Sequence, residues 1–61
     1  MKLYFNVTKS VLFAIEDNEL IETTQIGRCT EEVLKDYCIK AYGINKFTKI
    51  NSLADIDGLN I

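Results

Sequence analysis

Two short segments near the start of the chain alternate in one unbroken phase, and this limits the fold more than any other feature. Leu3, Phe5 and Val7 point one way, and Tyr4 and Asn6 point the other. Val11, Phe13 and Ile15 continue the same odd-numbered face beyond Lys9. A period of two belongs to a strand with one face on a core. Two structures keep the phase: a single long bent strand, or a hairpin closed by Thr8-Lys9-Ser10. The hairpin is preferred. It pairs Val7 with Val11, Phe5 with Phe13 and Leu3 with Ile15. A two-residue loop would set Val7 opposite Leu12 and mix the faces. The weak point is Ser10, which is a poor residue for the left-handed position that ends such a loop.

Glu16-Asp17-Asn18-Glu19 reads as the next turn, since Asp and Asn tolerate turn geometry and bond local backbone. Closing there sets Ile15 opposite Leu20 and starts a strand from Leu20 to Ile26. Its far half is polar on both faces, so it is expected at an edge or under light cover. Gly27 ends the sheet segment. Thr30 is a good N-cap, Glu31 and Glu32 suit the positive end of a helix dipole, and Gly43 is a natural stop. These signals predict a helix from Glu31 to Tyr42. At about 100° per residue, Val33, Leu34, Tyr37, Cys38 and Ala41 form its inward stripe. Glu31 with Lys35 and Asp36 with Lys40 are favourably ordered i,i+4 pairs.

The tail is less regular. Ile44, Phe47 and Ile50 recur at a spacing of three that fits neither a strand nor a helix cleanly. Ser52-Leu-Ala-Asp55 resembles a capping box with Asp in place of Glu, able to open one helical turn closed by Gly58. Leu53, Ile56, Leu59 and Ile61 are expected to fold back over the core edge. The predicted architecture is a single α+β domain over residues 1–61. It is a three-stranded antiparallel β-meander, then one amphipathic helix packed on a face, then a short irregular or one-turn helical tail.

A chain of 61 residues buries only about 60% of the surface its unfolded form exposes. No disulfide framework, metal motif or proline stiffens it. Self-association or a partner is the remaining staple. The absence of histidine removes the usual general base near neutral pH and the commonest metal ligand. Cys29 and Cys38 stand too far apart for a CxxC redox pair, and two thiols without histidine do not make a zinc finger. Gly27, Gly43 and Gly58 are too scattered for a phosphate-cradling loop. The expectation is therefore no catalytic residue, no cofactor and no metal. Polar residues interrupt the N-terminal run, no apolar stretch is long enough to span a membrane, and the thiols fit a reducing compartment; a cytoplasmic protein is expected.

Charge is lopsided. Residues 16 to 32 carry six carboxylates against Arg28, a net −5, and residues 35 to 50 carry four lysines against Asp36, a net +3. Two solvated faces explain this, and so does a dipolar surface that steers a partner or aligns two copies. The total of −2 and the single arginine argue against nucleic acid as the main partner. The Lys40–Lys49 segment, with Phe47 among its lysines, is the rival reading as a DNA- or RNA-associated regulator.

Ile39 is the most informative single residue. With Val33 at 0°, the inward stripe centres near about 70–80° and Ile39 lies at about 240°. Glu32 and Lys35 flank it, and Tyr42 lies nearer the boundary. A lone surface hydrophobe is one explanation. An interface anchor is the other, with Ile39 and Tyr42 as the contact and Glu32 and Lys35 as its charged rim. Cys29, beside Arg28 at the helix start, is either a reactive thiol or a small buried hydrophobe.

Isoleucine, asparagine and lysine make up 19 of the 61 residues, with one arginine and no proline. In this the whole chain resembles the small phage-encoded anti-defence and host-takeover inhibitors of AT-rich bacteria. The resemblance is one of size and composition and carries no site residue with it. It implies a non-catalytic inhibitor that binds and blocks a bacterial protein; with the short chain's need for a staple, the expected form is a cytosolic homodimer.

Overall fold

The computed structural model of the chain describes residues 1–56 and 58. Strands β1 (Lys2–Asn6), β2 (Val11–Glu16) and β3 (Glu19–Gln25) come first, followed by helix α1 (Glu31–Tyr42), strand β4 (Thr48–Ile50) and a 3-10 turn at Leu53–Asp55. The sheet order is β3-β2-β1-β4.

Asn6 decides how the first hairpin closes. Its side-chain oxygen accepts hydrogen bonds from the N–H groups of Thr8 and Lys9, both at 2.9 Å. This local side-chain turn ends β1 one residue early. Ser10 then returns its N–H to the Asn6 carbonyl at 2.8 Å and takes the left-handed conformation, φ 56°. The loop is Val7 to Ser10, and the pairs are Asn6 with Val11, Phe5 with Leu12 and Leu3 with Ala14. The expected pairing of odd with odd residues is therefore corrected by one position. A slip of one residue exchanges the faces of a strand. Leu3 and Phe5 share a face with Leu12 and Ala14, and Val7 becomes exposed.

The second hairpin closes as expected at Asp17-Asn18. Both residues have positive φ, 53° and 63°, as a two-residue primed turn requires, and Ile15 faces Leu20. A register shift between Ala14 and Ile15 makes a bulge in the pairing with β3.

The sheet is mixed and four-stranded, which corrects the expected antiparallel meander. β4 lies along the open side of β1 and parallel to it, with Tyr4 beside Thr48 and Asn6 beside Ile50. The Val7 N–H donates to the Ile50 carbonyl at 3.0 Å and extends this ladder. Three residues are too few to show an alternation, which is why the tail looked irregular. Helix α1 is the connection that carries the chain across from β3 to β4, as a return to a non-adjacent edge requires.

Each face of the sheet has its own core. Leu3, Leu12 and Ala14 are buried with Leu34 and Cys38 of α1. Phe13, Ile15 and Ile50 are buried on the other face with Ile56, and Leu53 packs against them. Thus β2 is covered on both sides, as its continuous apolar run from Val11 to Ile15 permits.

The helix has the predicted bounds and caps. The Thr30 hydroxyl accepts from the Val33 N–H at 3.2 Å. Gly43, at φ 70°, donates to the Ile39 carbonyl at 2.8 Å, and Ile44 donates to the Cys38 carbonyl at 3.4 Å. The tail's capping box is present in its acidic half: the Asp55 carboxylate accepts from Asn51 N–H at 2.9 Å and Ser52 N–H at 3.3 Å. The turn stops at Ile56 rather than at Gly58. The expectation for Leu59 and Ile61 lies outside the described residues.

Candidate functional site

The inward face of α1 is narrower and turned relative to the predicted stripe. Leu34 and Cys38 are buried and Tyr37 is half-buried, whereas Val33 and Ala41 are exposed. The direction of burial centres at about 120° on the scale that puts Val33 at 0°. Val33 and Ile39 then flank the outer surface, one on each side of it.

Three of the four candidate contact residues share that outer surface. Ile39 is 49% exposed and belongs to neither apolar core, and Glu32 and Lys35 are exposed beside it. Tyr42 is turned away from them, toward the sheet. It packs on the helix-side core and meets Tyr37 edge-to-face with ring centroids 6.5 Å apart. Its hydroxyl donates to the Glu22 carboxylate on β3. Burial, and then that hydrogen bond, push the Tyr42 phenol above its usual range.

The basic segment is partly neutralised. Lys40 pairs with Asp36 at 2.9 Å, which raises the lysine's pKa, and Lys49 pairs with Glu31 at 2.5 Å, which lowers that of the carboxyl. The second pair links β4 to the first turn of α1. Lys46 has no ion pair among the described residues. With Lys2 and Lys35 it borders an open groove of about 640 Å³ whose apolar wall includes Ile44 and Phe47. Cys29 is exposed and Cys38 is buried, and burial pushes the Cys38 thiol up. Among the described residues no three His, Cys, Asp or Glu side chains gather where they would hold a metal ion. Among the described residues no helix is long and apolar enough to cross a membrane.

A further open feature is β3. It is an edge of the sheet, as the sequence predicts, and five of its seven residues are exposed. Ile26 N–H donates to the Ser10 carbonyl at 2.9 Å, which sets the phase of the ladder. Counting back from that pair, Thr24 and Glu22 turn their peptide groups toward β2, and Thr23 and Gln25 turn theirs outward. Ile21, beside the bulge, is 52% exposed. Neither proline nor lysine blunts this strand. Ile21, Thr23 and Gln25 lie within Leu20–Ile26, which the sequence marks as an edge strand and, with Leu3–Val7, as an alternative surface for a dimer; no single residue of it stands out in the sequence.

No family model, curated protein or solved structure matches the chain.

Proposed function

We propose that the chain is a non-catalytic protein-binding inhibitor that works as a homodimer on a bacterial protein in the cytoplasm. The observation that carries this reading is Ile39, half-exposed, outside both cores and flanked by Glu32 and Lys35. A single apolar anchor inside a polar rim is the usual anatomy of a contact between proteins. The phage-like size and composition support a bacterial target. Nucleic acid is disfavoured by the net charge of −2 and by the engagement of Lys40 and Lys49 with carboxylates.

Tagged full-length chain, used to capture proteins from a bacterial lysate, tests the reading when paired with Ile39→Glu. One protein that is retained by wild type, released by Ile39→Glu, and inhibited by the purified chain is the expected result. Capture that is indifferent to Ile39→Glu, together with submicromolar binding of nucleic acid at physiological salt, would replace the inhibitor with the Lys40–Lys49 regulator.

A further inference from the structure

We infer that the open edge of β3 pairs with β3 of a second copy, antiparallel and with Thr23 on the twofold axis. This rests on the reading of the chain as a homodimer and assigns that dimer a surface other than the helix.

The outward peptide groups fix which registers can bond. Two edge strands join only where each offers N–H and C=O to the other, and here Thr23 and Gln25 do so. With Thr23 opposite the partner's Thr23, each residue gives and receives one hydrogen bond across the axis. Gln25 then meets the partner's Ile21, and Glu22 meets the partner's Thr24. Both sheets keep the same face up, so the two α1 helices lie on the same face of one continuous sheet.

Charge selects this register over its neighbours. Moving the axis to Glu22 sets that carboxylate against the partner's Glu22, a like-charge pair directly opposite. Moving it to Thr24 leaves only Thr23 to Gln25 of the strand in the ladder. With Thr23 on the axis no carboxylate of the strand faces another. Glu22, which accepts from Tyr42, faces the neutral Thr24 of the partner instead. The flanking sequence favours a second copy as well: Arg28 follows the strand at one end and Asp17 and Glu19 stand at the other. Antiparallel pairing brings the partner's Arg28 toward the acidic end twice.

Thr23→Pro is the natural probe, because the Thr23 N–H faces outward and its loss removes no bond to β2. Size exclusion with light scattering, on full-length chain at tens of micromolar, is expected to give a wild-type dimer. Thr23→Pro should be monomeric with an unchanged circular dichroism spectrum, and Ile39→Glu should remain dimeric. Should Thr23→Pro fail to fold, Thr24→Glu is the second probe. It places two new carboxylates opposite the partner's Glu22 and raises the dissociation constant by about tenfold. A dimer that dissociates with Ile39→Glu and is unmoved by Thr24→Glu would overturn the edge pairing and leave the homodimer standing. A folded wild-type monomer would remove both, without touching the capture of a target protein.

Discussion

The side-chain amide of Asn6 donates to the backbone carbonyl of Asn51 across 3.3 Å, joining the end of β1 to the end of β4. The same side chain holds the N–H groups of Thr8 and Lys9, and the residue is only 4% exposed. One buried polar group therefore sets the first hairpin's register and anchors the parallel strand.

Asn6→Ala should cost about 1–3 kcal/mol, because it removes three hydrogen bonds made by a side chain that is itself buried. Urea unfolding followed by circular dichroism measures this. A loss below about 0.5 kcal/mol would mean that the turn closes without its side chain.

The face of the sheet away from the helix should matter as much as the helix side. Ile56 is buried there against Phe13, Ile15 and Ile50. Ile56→Ala should cost about 2–5 kcal/mol. The whole domain has only about 3–9 kcal/mol at the usual stability per residue. Thermal unfolding should show Ile56→Ala largely unfolded or melting far lower, with exposed Val33→Ala close to wild type.

The two cysteines should differ in reactivity. Cys29 is exposed, whereas Cys38 is buried on the inward face of α1 with its thiol pKa raised by burial. Iodoacetamide at neutral pH should alkylate Cys29 alone, and Cys38 only after denaturant is added. Peptide mapping by mass spectrometry reads the order, and equal rates at both thiols would contradict the helix packing.

Tyr42 should make stability fall at alkaline pH. Its folded pKa is raised, so the neutral phenol is the form the fold favours. The contribution is fully present below the unfolded value of about 10 and is lost as pH rises through the folded one. Tyr42→Phe should flatten that part of the stability profile. An unchanged alkaline profile in the variant would assign the loss to other groups.

Local chemistry was legible where a residue acts on its own neighbours. Thr30, Gly43, Asp17-Asn18 and the Asp55 box each mark an element that forms where the sequence predicts it. What was hidden depended on contacts distant in sequence. Asn6 looked like an outward residue of a strand, and its role as a turn cap also needs Asn51, far along the chain. β4 has no pattern of its own and exists because β1 offers an unpaired side. Apolarity alone does not orient the helix: the sheet takes Leu34 and Cys38 and leaves Val33 outside. Glu32, Lys35 and Ile39 lie together on the outer surface of the helix, where helical spacing places them, whereas Tyr42 reaches Glu22 on a strand that helical spacing cannot show.

Amide hydrogen exchange by NMR, at dilute and at high protein concentration, tests most directly whether the β3 edge is where two copies meet. With edge pairing, the Thr23 and Gln25 amides should exchange freely when dilute and become protected as dimer forms. The Thr24 amide, already bonded to β2, should be protected throughout. Free exchange at Thr23 and Gln25 in a sample that light scattering shows to be dimeric would contradict it.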